Sequence, residues 1–206
     1  MAKKIELISL DDKFDTKIAA KNARKLIEEQ NRVAMFLTCG APNTEALIGH
    51  LNLHGALPVG PTTAAIVLHQ PVHKHVFNVR AAYQRAVEKA MLYLASTGIT
   101  RIALIHISDS FGADGAAGAQ KGLKVAQPAA VFVEQFHRNK PDFAPIAPKL
   151  IASNAQAALM IASGRGIAQG LKIFVRQTPR PRSSPCPATL PAALSKAWGT
   201  TQQTLS

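Results

Sequence analysis

Ile102-Ala103-Leu104-Ile105-His106-Ile107, then Ser108-Asp109-Ser110, then a helical stretch from Gly112 to Val125, is the part of the chain that decides the fold. Near-continuous apolar character over six residues reads as a strand covered on both faces, because a strand wetted on one side alternates. His106 inside it reads as a packed core residue. The polar tripeptide ends the strand, and Asp109 and Asp114 read as capping groups around a glycine-containing turn.

Outward from this unit the pattern repeats. Upstream, Ile5 to Leu10 reads as a short buried strand ended by Asp11-Asp12. Thr16 to Gln30 reads as a helix with Asp15 as N-cap and an apolar stripe of Ile18, Ala19, Ala23, Leu26 and Ile27. Val33 to Thr38 is a further strand, broken by Gly40. Pro42 opens a helix that runs to His54 and stops at Gly55. Leu57 to Val59 and Val76 to Val79 are extended, and Tyr83 to Ser96 is helical. Downstream, Ala130 to Glu134 and Ala157 to Ile161 read as strands. Phe143 to Ser153, preceded by Asp142, and Gly166 to Val175 read as helices.

Buried strands alternating with amphipathic helices imply parallel sheets, hence an α/β fold of two Rossmann-like lobes. The expected division is 1–80 for a partial first lobe and 81–175 for a partial second lobe, with a crossover near residues 78 to 82. From Arg176 the composition changes. Residues 176–206 hold Arg176, Arg180, Arg182 and Lys196, no acid, and five prolines. They read as a Pro/Arg-rich tail, disordered or translated out of frame.

The 206 residues are 47% hydrophobic and 5% aromatic, enough for a substantial core of helices on sheets. The formal charge of +12 raises the question of nucleic acid. Four of those charges fall in the tail and the rest are scattered, with no dense basic run or aromatic-interleaved stripe, so no nucleic-acid partner is expected. No apolar run reaches the length of a membrane span, so no membrane insertion is expected. Met1 leads straight into the first strand without a signal peptide, so the chain as given is expected to stay in the cytoplasm.

Cys39 and Cys186 are too far apart for a metal-spaced pair, and Cys39 reads as a buried small residue. His50 and His54 stand i,i+4 on a helix, a zinc-compatible spacing. Leu51-Asn52-Leu53 between them supplies no glutamate, so they read as surface histidines. There is no dinucleotide fingerprint, P-loop or nucleophile elbow. Asp11 and Asp12 are adjacent and read as loop caps. No catalytic residue, metal or cofactor is expected. What remains suits binding: Cys39-Gly40-Ala41-Pro42-Asn43 puts backbone N–H groups at a helix start, a seat for a carboxylate. Thr62 and Thr63 add hydroxyls at the next strand end. In open parallel sheets the ligand lies outside the carboxyl ends of the strands.

Several motifs carry a family resemblance. Ile5 to Asp15 with its Asp-Asp-x-x-Asp pattern, Val59-Gly60-Pro61-Thr62-Thr63-Ala64, His75 to Arg80, Ile102 to His106 with Phe111-Gly112-Ala113-Asp114 and Gly122, and Phe143 to Pro148 resemble, in order and spacing, type I periplasmic binding proteins. The nearest group is the Leu/Ile/Val-binding components of ABC importers. Thr16 stands where that pattern often has proline. The resemblance implies a periplasmic, non-catalytic protein that holds a small amino acid or related carboxylate and partners an ABC permease. It implies ligand contacts at Cys39, Gly40, Ala41, Thr62, Thr63, Phe111 and Ser163, with Phe111 as the covering aromatic. It also implies family segments upstream of Ile5 and beyond Val175, so the chain is expected to be an incomplete member that binds branched-chain amino acids weakly or not at all. The alternatives are a cytosolic small-molecule sensor of the same fold and a small Rossmann-like enzyme using Asp11, Asp12 or Asp109.

A tail without apolar periodicity should be cut early. Limited proteolysis is expected to remove residues 176–206 before any cut between Ile102 and Ile107. Equal protection of the two segments would overturn that reading.

Overall fold

The computed structural model describes residues 5–32, 34–127 and 129–177, with side chains up to residue 174. Helix α1 (Thr16–Arg24) continues as a π-helical turn, Lys25–Glu29. Strand β1 (Ala34–Phe36), helix α2 (Ala41–His54) and strand β2 (Leu57–Val59) form a parallel unit in which Ala34 pairs with Leu57 and Phe36 with Val59. A 3-10 turn, Ile66–Leu68, and an extended bridge from Val59 to Phe77 lead into helix α3 (Tyr83–Ser96). A second parallel sheet follows: strand β3 (Arg101–Ile107), helix α4 (Ser110–Ala126), strand β4 (Ala129–Phe136), helix α5 (Ile146–Ala152), strand β5 (Ala157–Ile161) and helix α6 (Arg165–Gln177). Its order is β4-β3-β5, which puts the decisive strand in the centre. From Ile102 to Ile107 every residue of β3 is buried, His106 among them, as its lack of alternation requires.

Asp15 caps α1 as expected, accepting from the backbone N–H groups of Lys17 and Ile18 at 2.8 and 3.1 Å. Gly55, at φ 61, ends α2. Other expectations need correction. Ile5 to Leu10 is not a strand: no described strand lies beside it, and Ile5 and Leu7 are exposed. An extended run without a neighbour has no ladder to complete. The helix expected from Phe143 starts only at Ile146, because Pro145 disfavours helical geometry at Ala144. Asp142 instead accepts the Ala144 N–H at 3.0 Å. Cys39 is exposed, because the chain turns outward after β1, with Leu37 at φ 55 and Gly40 at φ 84. Composition changes at Arg176, yet α6 runs through Arg176 to Gln177, since no proline interrupts it before Pro179. The remainder of the expected tail, with Cys186, lies outside the described residues.

The larger core gathers Ile102, Leu104, Ile105 and Ile107 of β3 with Met91 of α3, Phe111 and Ala119 of α4, and Phe143. Ala41, Ala64 and Ala65, from the segment of the first sheet, join the same cluster. A smaller cluster, Ala19, Ala23, Ile27, Leu47, Leu51 and Ala56, seals α1 on α2.

Helix α4 is held by two devices. Its glycines let α3 approach: a Cβ on Gly118 would stand 2.5 Å from the Gln84 carbonyl oxygen, and one on Gly122 2.5 Å from the Met91 Cβ. Asp114 is not a cap. Its buried carboxylate accepts the Ile66 N–H at 3.0 Å and the Gln84 amide at 2.7 Å, tying the 3-10 turn and α3 to α4. Lys121 holds the other end of Gln84 at 2.6 Å.

Gly118→Val is expected to lower the urea midpoint by the equivalent of about 1–3 kcal/mol, because the neighbour is backbone and cannot rotate away. Asp114→Ala is expected to cost a similar 1–3 kcal/mol or so by stranding the Ile66 donor. Unchanged midpoints would show that α4 packs more loosely than described.

Candidate functional site

The carboxyl ends of β1, β3, β4 and β5 all open toward one region. Between the two sheets lies a cleft of roughly 160 Å³, lined by Phe14, Pro42, Asn43, Asp109, His137 and Arg138 among others. It sits outside the strand ends, where open parallel sheets place their ligands.

Its first wall begins at the loop after residue 10. Asp11 and Asp12 each accept an N–H two residues on, from Lys13 and Phe14, both at 2.8 Å. These turns hold Lys13 and Phe14 in the left-handed region, at φ 50 and 57. The Phe14 ring is thereby laid on Gly40, so closely that a Cβ there would stand 2.6 Å from the ring. Only glycine fits that position and its φ of 84. The start of α2 is thus lined by an aromatic ring. Asp12 also accepts from the Asn43 amide at 2.8 Å, while the buried Asn43 Oδ1 faces no donor among the described residues.

The second wall is built on Arg138, just beyond β4. Its Nε donates to Asp109 at 2.5 Å and its Nη1 to Ser163 Oγ at 2.6 Å. Asp109 in turn caps α4 by accepting the Gly112 N–H at 3.1 Å. The guanidinium lies 4.9 Å from the centre of the Phe14 ring and 5.8 Å from that of Phe111. One cation therefore bridges the loops after β3, β4 and β5 and faces the ring that lines the first wall.

The residues expected at the site are placed as follows. Gly40 and Ala41 form the α2 start, Ala41 buried in the core; Cys39 beside them is exposed. Thr62 joins them through its N–H and hydroxyl, which donate to the Thr38 carbonyl at 2.9 and 3.1 Å. Arg80 donates to the Thr62 carbonyl at 2.5 Å. Thr63 is buried, and its hydroxyl has no partner among the described residues. Phe111 is buried edge-on to Tyr83, with ring centres 5.1 Å apart, and does not line the cleft. Ser163 reaches the cleft through Arg138. Arg138 and Phe14 were not among the expected contacts. Arg138 is a lone arginine in the loop after β4, and Phe14 lies in a loop whose sequence signal is its aspartates.

A sequence model of the family described as periplasmic binding protein matches residues 2–177. A search of curated proteins gives no match. Among solved structures, a substrate-binding periplasmic protein from Ralstonia solanacearum is 27% identical, with a TM-score of 0.74; the match covers 81% of this chain and 47% of that one. A possible leucine/isoleucine/valine-binding protein from Rhodopirellula baltica SH 1 is 21% identical over 83% of this chain and 48% of its own, with a TM-score of 0.76. An ABC-transporter solute-binding protein from R. palustris, in complex with benzoate, is 14% identical over 81% and 47%, with a TM-score of 0.75. The last two likenesses concern the fold. The chain spans about half the length of the solved structures it matches.

Asp109 has two duties, and two substitutions separate them. Asp109→Ala, losing cap and ion pair, is expected to cost about 1–2 kcal/mol in urea unfolding. Asp109→Asn keeps a capping acceptor and should cost less than half of that. Equal losses would show that the cap contributes nothing.

Proposed function

The chain belongs to the periplasmic binding protein family, and on that premise we propose that it derives from the solute-binding component of an ABC importer and takes a small carboxylate in the cleft at Arg138. The family and the solved structures it matches are non-catalytic solute-binding proteins. The family is periplasmic, and no described helix is long and apolar enough to cross a membrane. The proposal extends to a division near residue 80, with the cleft between the two halves, and to an ABC permease as partner.

The observation that carries the ligand class is the position of the Arg138 guanidinium. Two of its donor atoms are engaged by Asp109 and Ser163, and Nη2 has no hydrogen-bond acceptor among the described residues. A planar, permanently charged fork suits a carboxylate. Phe14 lines the cleft beside the cation, and a cavity of about 150 Å³ takes a benzene ring, so the roughly 160 Å³ here suits a single-ring acid. The benzoate complex of the R. palustris protein supports the same ligand chemistry. Cys39, Gly40, Ala41, Thr62 and Thr63 would then shape the opposite side, with Asn43 Oδ1 ready for a ligand hydroxyl or water.

A free amino acid suits the cleft less well. Its ammonium needs a carboxylate oxygen, and those of Asp12 and Asp109 already accept hydrogen bonds, from Phe14 and Asn43 and from Gly112 and Arg138, whereas Nη2 of Arg138 keeps its donors for a carboxylate. Burying an unpaired ammonium costs several kcal/mol, on the order of what a small ligand gains in all.

Calorimetric titration of the full chain tests this. Benzoate is expected to bind at least ~30-fold more tightly than neutral benzamide, about 2 kcal/mol for a charge-assisted hydrogen bond, and more tightly than leucine. Arg138→Gln should abolish that preference. Undiminished benzoate affinity in this variant, tighter binding of leucine, or no binding of benzoate would each overturn the proposal.

A further inference from the structure

At the far end of α2 from the cleft, three potential metal ligands converge from segments more than twenty residues apart. His50 and His54 stand one helical turn apart on α2, with ring centres 4.6 Å apart. Glu28 comes from the π-helical turn that extends α1. Its Oε1 lies 3.7 Å from His50 Nε2 and 3.3 Å from His54 Nε2. All three ligand atoms fall within 4.8 Å of one another, the one such His/Cys/Asp/Glu group among the described residues. The other oxygen, Oε2, faces Arg24 at 3.8 Å, so Oε1 is the atom presented to both rings.

We propose that Glu28, His50 and His54 form a binding site for a divalent transition metal of the zinc class. Three observations on the page lead there. The first is distance: a tetrahedral ion with bonds near 2.1 Å holds its ligands about 3.4 Å apart, and the two His–Glu separations bracket that value. The second is a buried polar atom: His50 Nε2 is shielded from solvent and makes no hydrogen bond within the described residues. A shielded ring nitrogen without a hydrogen bond calls for a partner, and a metal bound through the nitrogen lone pair supplies one. The third is local geometry. A π-helical turn widens the helix and re-aims its side chains, a distortion frequent at functional sites. Here it carries the one carboxylate the two histidines share.

The ligand chemistry sets the class. Two imidazoles and one carboxylate suit zinc, nickel, copper or cobalt and are poor for calcium or magnesium, which take oxygen. Three protein ligands leave a fourth position for water. The ion joins the π-turn after α1 to the last turn of α2, beside the small core of Ala23, Ile27, Leu47 and Leu51. The site is separate from the cleft at Arg138, so it stands whether or not that cleft takes a carboxylate.

The test is a titration of the full, chelator-treated chain with Zn²⁺ by calorimetry, and with Co²⁺ by its visible spectrum. One equivalent is expected to bind, with a cobalt spectrum of low coordination number and a raised Tm. Glu28→Gln and His54→Ala, both at exposed positions, should each weaken Zn²⁺ binding at least ~10-fold and remove the Tm rise. His50→Ala combined with His54→Ala should abolish one-to-one binding, while His73→Ala should leave it intact. Circular dichroism confirms that each variant is folded, and Glu28→Gln, which preserves shape, keeps the test decisive should a histidine variant unfold. Absence of binding by the parent chain, or equal affinity in Glu28→Gln or in the double histidine variant, would overturn the site.

Discussion

Helix α4 lies closer to α3 than side chains would permit, and the rest of the molecule is arranged around that approach. Gly118 and Gly122 present bare backbone to Gln84 and Met91, so the helices meet where a single methyl group would force them apart. This proximity puts Asp114 within reach of Gln84 and of the Ile66 N–H. A buried carboxylate needs several donors to offset its lost hydration, and it finds them only because the helices are so close. The 3-10 turn after β2 is thereby fastened to the helix that follows β3. Ala64 and Ala65 enter the larger core as a consequence, and the two sheets hold one set of strand ends toward the cleft.

The same helix serves the cleft at its other end. Its cap, Asp109, is also the anion that holds Arg138. A cap fixes the carboxylate by a backbone donor, and the fixed carboxylate then orients a long side chain that would otherwise lose much rotamer freedom on being ordered. Ser163 supplies a second anchor from beyond β5. The positive group at the cleft is therefore held in place by bonds within the protein itself. On the facing wall two consecutive residues in left-handed geometry set the Phe14 ring against Gly40. Local strain at that loop is offset by the Asp11 and Asp12 turns.

Fold and site differ in how much of them was legible. The central strand declared itself because burial on both faces leaves no alternation, and the three helices before it declared themselves by their punctuation: Asp15, Gly55 and the glycine after Thr97. Tyr83 to Ser96, Leu57 to Val59 and Ala157 to Ile161 lie where the apolar pattern put them. Ile5 to Leu10 has as strong a strand pattern and forms none, because pairing depends on a neighbour that a local pattern does not supply. The loops expected to face a ligand follow from strand ends and a helix start, and the place of Arg138 beside Asp109 and Ser163 does not, since an arginine in a loop looks alike whether it faces water or a cleft.

By itself, the sequence determined most of the segments that are strand and helix, Ile5 to Leu10 and the start of the helix at Ile146 excepted, and that the sheets are parallel. These follow from short-range regularities: side-chain period, capping and the backbone limits of proline and glycine. Only the tertiary structure decided that Asp114 is a tie and not a cap, that Arg138 lies between Asp109, Ser163 and Phe14, and that Glu28 meets His50 and His54. Each of those joins groups more than twenty residues apart. Their meeting is set by how closely helices pack and by the turn at which a helix widens, and no periodicity along the chain records either.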